Sequence, residues 1–329
     1  AIVFIAQLSI QQVPLTRFPP LTWRKLSEQF QRLIHVNGRD IPQSISLPCY
    51  IKRRPTPIPS KPIVHRPEIQ DQLRRAGATV RELFEELEPL IKPSISTQDI
   101  DDFLFTKCIA KGVYPSPLGY RGFPKSVCTS IDHIACHGIP SPSTYLQHAD
   151  LLSVDISIYN GHVHGDSCRS YVLDPSSVSE NRYTTATFLC SLAKDCCDAG
   201  VSVCGPGVPF NAIAHAVTQM AEDHDCRVVV SIQGHGIGAF LHGPPAVAHS
   251  AHECENRDIM QPGHVFTIEP CIAMGTAATD RIATNDDLRY LAIPQVLDDG
   301  WSVVCTDRSL TAQFEHMVLI TETGYEVLT

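Results

Sequence analysis

Apolar side chains recur at helical spacing through Ile69, Leu73, Ala76, Val80, Leu83, Phe84, Leu87 and Leu90, which predicts one long amphipathic helix. Pro67 suits its first turn, where no amide is needed, and Lys92-Pro93 predicts its end. A second helix is expected after Ser96-Thr97, with Ile100, Phe103, Leu104 and Cys108 buried and Gly112 as its stop. Asp99, Asp101 and Asp102 sit near its positive end, so these acids require no catalytic role. The period then changes to two. Over residues 152–159, Val154, Ile156 and Ile158 fall on one face and Ser153, Asp155 and Ser157 on the other, predicting a strand that packs on one side and presents a carboxylate on the other. Around Glu269, Phe266 and Ile268 oppose Val265, Thr267 and Glu269 in the same way. Between these regions helices are expected over residues 180–199, ending at Gly200, and over 210–222, with Phe210, Ile213, Ala214, Val217, Met220 and Ala221 on one stripe. The order helix, helix, strands thus occurs twice. It predicts an α+β domain over residues 67–329, with an antiparallel sheet that carries the chemistry on one face and helices on the other.

Residues 1–66 stand outside this pattern. Pro55, Pro57, Pro59 and Pro62 make KRRPTPIPSKP an extended linker that cannot be helical. The segment holds ten Lys and Arg against only Glu28 and Asp40, in a chain of net charge −9. A basic, acid-poor leader reads as an organellar transit sequence and suggests a mitochondrial protein; the alternative is a solvated basic tail on a cytoplasmic one. The opening AIVFIAQLSI lacks the basic flank and small-residue cleavage pattern of a secretory signal. No apolar run approaches the roughly 20 residues of a membrane helix. Thirteen cysteines without a C-x-x-C pair argue against a disulfide framework and for a reducing compartment. Neither a membrane nor a nucleic acid is expected as a partner.

Five side chains stand at the edges of strand-like segments: Asp155 in SVDISIY, Asp166 in HVHGDSC, His235 in GHGIG, Glu269 in HVFTIEP and Glu315 in FEHMVLI. Taken singly, each acid is an ordinary surface or capping carboxylate. Four carboxylates in one pocket would repel one another strongly unless cations neutralised them. A single imidazole among oxygen donors favours ions such as Mn, Fe(II) or Co over the His- and Cys-rich surroundings usual for Zn. GHGIG is a poor phosphate loop, since it lacks a trailing Lys-Ser/Thr and any dinucleotide fingerprint. Cys128 has no base beside it in sequence and reads as pocket wall rather than nucleophile. His133, His162, His249, His252 and His264 read as structural or solvated.

Taken in order, YPSPLGYRGFPKSVCTSIDHIACHGIP from Tyr114, VDISIYNGHVHGDSCRSY, GHGIGAFLHGPPAVAH, FTIEP and TAQFEHMVLIT resemble the type 1 methionine aminopeptidases over roughly residues 67–329. With its basic leader, the chain looks more like the mitochondrial form than the cytosolic one. The resemblance implies a pseudo-twofold pita-bread fold, in which helices cover a curved antiparallel sheet holding two divalent metal ions (Co, Mn, Fe(II) or Zn). By the same resemblance Asp155 binds one ion, His235 and Glu269 the other, and Asp166 and Glu315 bridge the two. His242 would stabilise the tetrahedral intermediate and His137 would contact the scissile amide. The implied methionine pocket comprises Tyr120, Phe123, Cys128, His137, Leu241, His242 and Trp301. Two neighbouring ions can acidify a shared water and polarise a carbonyl, and Glu269 is the candidate to take up and pass on its proton.

The implied reaction removes initiator methionine from the amino termini of newly made polypeptides, met at the ribosome by an expected monomer. Xaa-Pro aminopeptidases and dipeptidases share the fold and ligand set but lack the YPSPLGYRGFPKSVC segment. A binding module of this fold without its ligands is a third reading, against which the intact quintet argues. This chain departs from the family pattern with Leu241 where Phe is usual, Arg121 where His or Gly is common, Met317 in place of Thr and Cys271 in place of Met. The connection from Gly275 to Gly300 is longer than usual and is expected to be a surface loop.

Overall fold

The computed structural model of the protein describes residues 33–52, 58–175, 180–254, 256–275 and 291–329. Helix α1 (Pro67–Leu87) starts with Pro67 in its first turn and buries Leu73, Ala76, Val80, Leu83, Phe84 and Leu87. It ends before Lys92: Pro89 has no amide to extend the ladder, and Glu88–Leu90 tightens into a 3-10 turn. Helix α2 (Thr97–Ala110) is opened by a reciprocal cap, in which the Ser96 amide donates to Asp99 at 2.8 Å and the Asp99 amide to the Ser96 hydroxyl at 3.1 Å. Asp101 is buried, where it pairs with Arg39 and accepts the Ser126 amide at 2.6 Å. The acids at this helix start therefore have structural partners, as the sequence suggests, whereas Phe103 is only partly buried. Helix α3 (Glu180–Ser202) continues through Gly200 instead of stopping there. A Cβ at Gly200 would lie 3.0 Å from Val217 and 3.2 Å from Ile213, so this glycine serves the close approach of α4 (Asn211–Glu222) and not a helix end.

The strands fall in two halves that mirror the helix pairs. In the first, Leu151–Tyr159 pairs along its length with His164–Val172, and on its other edge with Cys128–Ile131 and Tyr114–Pro115. In the second, Val265–Ile268 lies between Gln233–Gly236 and His316–Ile320. Helices α1 and α2 cover Leu152, Val154, Ile156 and Ile158. Helices α3 and α4 cover Phe266, Ile268, Val318 and Ile320. The apolar alternation read along each strand is thus the face beneath a helix pair, and the opposite faces carry Asp155 and Glu269. Among the described strands one pair is parallel, Leu291–Ala292 with Val228 and Val229. Within the connection expected to be a loop, residues 276–290 lie outside the described residues. Leu291–Ala292 and Pro294–Val296 are strands: the second pairs with Val303–Cys305, and in the first Ala292 is buried and its carbonyl accepts the Val230 amide at 3.1 Å.

Part of the expected leader packs on the domain. Leu33–Val36 and Arg39–Pro42 form a hairpin whose turn residues Asn37 and Gly38 have φ of 45° and 81°. Ile41, Ile45 and Leu47 are buried in one cluster with Tyr114 and Leu118. Residues 1–32, which include AIVFIAQLSI, and residues 53–57 of the proline-rich linker lie outside the described residues, and residues 58–66 are not helical.

Gly77 marks the tightest approach of α1 to the end of the chain, since a Cβ there would lie 2.3 Å from the Leu328 carbonyl oxygen. Gly77→Ala is expected to destabilise the protein by about 1–3 kcal/mol, the usual range for overpacking, read as a lower thermal midpoint. An unchanged midpoint would mean that the terminal segment yields freely.

Candidate active site

All five expected ligands and all seven expected pocket residues line one cavity of about 320 Å³. Asp155 sits mid-strand between Cys128 and Cys168 of the neighbouring strands. Asp166 lies opposite Ser157, whose hydroxyl donates to its Oδ1 at 2.6 Å. Glu315 stands just before His316–Ile320, its amide donating to the Cys168 carbonyl at 2.9 Å and its carbonyl accepting the Ser167 hydroxyl at 2.6 Å. Thr267 ties the other two together: its hydroxyl donates to Glu269 Oε1 at 2.8 Å and accepts the His235 amide at 3.0 Å.

His235 Nε2 lies 3.5 Å from Glu269 Oε1 and 3.7 Å from Asp166 Oδ2. One donor atom from each of Asp166, His235 and Glu315 lies within 4.8 Å of the others. Separations of this size exceed good hydrogen bonds, but suit ligands that each stand about 2.0–2.2 Å from a common ion. Asp155 Oδ1 is buried and has no hydrogen-bond partner among the described residues, an arrangement that is costly until something positive satisfies it. The cluster therefore fits a divalent cation.

Burial raises every carboxyl of the cluster. Asp155 is pushed up to about 6, against opposing hydrogen bonds with Cys128 and Asp166. Glu269 is pushed up to about 8, with Thr267 opposing and Asp155 adding. Asp166 and Glu315 rise well above the carboxylate range, burial first and neighbouring carboxylates next. Burial lowers His235 to about 4 and also lowers His137 and His242. These carboxyls would have to give up their protons to hold a cation, which would reverse the shifts.

The cavity wall is apolar and aromatic. Phe123 and Trp301 meet edge to face with ring centres 5.2 Å apart, and His137, at φ 56°, stands 6.3 Å from Trp301. His242 Nδ1 is 2.8 Å from the Tyr120 hydroxyl, and its ring centre is 4.2 Å from that of His235. Leu241 and Cys128 are buried. Burial, with Asp155 next, holds the Cys128 thiol well above its ordinary value, so it lines the cavity as a protonated thiol. Arg121 is exposed at the margin, its guanidinium 5.4 Å from the Tyr120 ring centre. A second cavity of about 340 Å³ shares His137, His235, His242 and Glu269 and continues past Ile232 and Val296.

Ser157 and Thr267 support the carboxylates, a role not expected from the sequence although both alternate with them on polar strand faces. His249 has the structural place expected of it. Buried His249 donates from Nδ1 to the Ile232 carbonyl at 3.0 Å and accepts the Glu269 amide at Nε2, also at 3.0 Å. Nothing local in the sequence signals that contact. Met317 is buried, and its sulfur accepts the Asp166 amide at 3.1 Å; Cys271 is buried and donates to the Ala135 carbonyl at 3.4 Å.

The model of metallopeptidase family M24 matches residues 71–322. The chain is 35% identical to methionine aminopeptidase 1D, chloroplastic/mitochondrial, of Arabidopsis thaliana over 292 residues, 88% of this chain and 77% of that protein. It is 34% identical to methionine aminopeptidase 2 of Mycobacterium tuberculosis over 295 residues, 88% of this chain and 94% of that one. The crystal structure of methionine aminopeptidase from Rickettsia prowazekii matches with a TM-score of 0.72 and 30% identity, covering 82% of this chain and 99% of that one. Prolidase from Pyrococcus furiosus, at a TM-score of 0.58 and 15% identity over 81% of this chain and 65% of that one, shares the fold alone.

Proposed function

The chain belongs to metallopeptidase family M24 and has the α+β pita-bread fold of its methionine aminopeptidases, and from that premise we propose that this hydrolase removes the initiator methionine of newly made polypeptides. The observation that carries the reading is a single cavity in which the acidic cluster adjoins a wall of Phe123, Cys128, Leu241 and Trp301. Aromatic and sulfur groups suit a flexible thioether side chain.

In this reading Asp155 would hold one divalent ion, His235 and Glu269 would hold a second, and Asp166 and Glu315 would serve both, with Co, Mn, Fe(II) or Zn as candidates. When bound, such ions acidify water and polarise a carbonyl. The protein's own groups do the rest. Glu269 takes the proton of the attacking water and returns one to the leaving amine. His242, oriented by the Tyr120 hydroxyl at 2.8 Å, donates to the oxygen that gains charge, while His137 faces the scissile amide. Burial keeps both imidazoles neutral, so each offers one donor and one acceptor. A substrate's free α-amine seated among the carboxylates would confine cleavage to the first peptide bond.

The basic leader, together with relatives named as mitochondrial or chloroplastic, supports an organellar site of action, the cytoplasm being the alternative. No described helix is long and apolar enough to cross a membrane. A monomer that meets its substrates at the ribosome completes the reading.

Metal-loaded protein is expected to cleave Met-Ala-Ser at least about ten-fold better than Xaa-Pro peptides, a margin within the reach of pocket contacts. Preferential cleavage of Xaa-Pro peptides would overturn the choice of substrate. A protein without peptide turnover, whose partner binding survives Asp166→Ala, would be a binding module instead.

A further inference from the structure

Residues 33–52 brace the loop that builds one side of the catalytic cavity. The Asn37 side-chain amide donates to the Phe123 carbonyl at 2.9 Å. The Tyr50 hydroxyl donates to the Ser116 carbonyl at 2.5 Å, and its ring meets Tyr120 edge-on with centres 5.1 Å apart. Ile51 closes on Gly119, where a Cβ would come within 2.7 Å of its Cδ1. These contacts bracket residues 116–123, the run that supplies Pro117, Tyr120, Arg121 and Phe123 to the cavity. Its own secondary structure is slight: the strand before it has two residues, the turn Tyr120–Gly122 is a single 3-10 turn, and Gly119, Arg121 and Gly122 all have positive φ. A segment with so little ladder of its own depends on its neighbours for order. The brace is itself well anchored, through buried Ile41, Ile45 and Leu47 and through Arg39 on buried Asp101.

We propose that residues 33–52 are part of the frame of the substrate pocket. Tyr50 and Asn37 are positioning residues in it: they hold the 116–123 run so that the Tyr120 hydroxyl meets His242 and Phe123 meets Trp301. Neither residue lines the cavity, so both act through Tyr120 and Phe123. Any processing that yields active enzyme leaves residues 33–52 attached. The inference rests on the aminopeptidase reading above, because it takes the 116–123 run to be a substrate wall.

The test uses the metal-loaded full chain and three variants. Tyr50→Leu removes the ring, Tyr50→Phe removes only the hydroxyl, and Asn37→Gly removes the amide at an exposed turn whose positive φ glycine tolerates. Tyr50→Leu and Asn37→Gly are expected to weaken methioninamide binding by calorimetry, and to raise KM for Met-Ala-Ser, each by about three- to ten-fold, since small misplacements of positioning groups have effects of this order or larger. Metal content should stay at the wild-type level, and Tyr50→Phe should recover most of what Tyr50→Leu loses. If Tyr50→Leu does not fold, Asn37→Gly decides alone. Wild-type binding and KM in the variants, measured well below their unfolding temperatures, would overturn the inference whatever happens to stability. Failure of the aminopeptidase reading looks different: the wild-type protein itself would neither bind methioninamide nor cleave Met-Ala-Ser, and both proposals would fall.

Discussion

Asp166→Asn is expected to lower kcat/KM on Met-Ala-Ser by at least about a thousand-fold, equivalent to roughly 4 kcal/mol of lost transition-state stabilisation. The substitution is nearly isosteric and leaves an oxygen for the Ser157 hydroxyl, which donates to Oδ1 at 2.6 Å. What it removes is negative charge from the carboxylate that faces His235 Nε2 and forms the compact triad with His235 and Glu315. Metal analysis should show the two ions proposed above falling to one, and Glu315→Ala should do the same. Full metal content in either variant, together with retained activity, would remove that residue from the shared position proposed for it.

Chelation is expected to abolish activity and also to expose a pH-dependent loss of stability that bound metal suppresses. In the metal-free protein, folded Asp155 and Glu269 keep their protons up to about pH 6 and 8, whereas in the unfolded chain they release them near 3.8 and 4.5. Asp166 and Glu315 shift in the same direction. Over that interval the native state binds more protons than the unfolded state, so stability falls as pH rises. The histidines act oppositely. His164, at about 3, and His235 and His249, both at about 4, stay neutral in the fold while unfolded imidazoles charge below 6.5, so their contribution falls as pH falls. The two sets oppose each other between about pH 4.5 and 6.5, and from there to about pH 8 the carboxyls dominate. Denaturant unfolding after chelation should therefore show lower stability at pH 8 than at pH 6.5, and metal should flatten the difference. Equal stability at both pH values without metal would contradict carboxyls held protonated by burial.

Much of the fold was legible because its signals are local. The α1 stripe matches the helix from Leu73 to Leu87 and overruns it at Leu90, because an apolar period says nothing about the missing amide of Pro89. Gly200 looked like a helix stop, yet it serves the packing of α3 on α4, a contact between helices that the period of either one cannot carry. Residues 33–52 looked like leader because charge and proline dominate the composition around them, whereas Ile41, Ile45 and Leu47 find their partners in Tyr114 and Leu118. Strand character at residues 291–296 was hidden in the same way, by partners at Val228, Val229 and Val303–Cys305.

The candidate site divides along the same line. Which side chains share a strand face is written in the chain, since successive Cβ atoms point to opposite sides of any strand; that is why Asp155 opposes Val154 and Ile156, and Glu269 opposes Ile268. That these faces meet is a matter of long-range packing. Their meeting depends on registers between distant segments, Ser157 on Asp166, Phe266 on Gly236 and Ile268 on His316. A shift of one residue in any of them would turn a ligand toward the helices. His249 beneath the Glu269 amide, which supports the cluster, and Tyr50 behind Tyr120, which backs the pocket wall, belong to that second kind of information, because a contact made through space leaves no period in the chain.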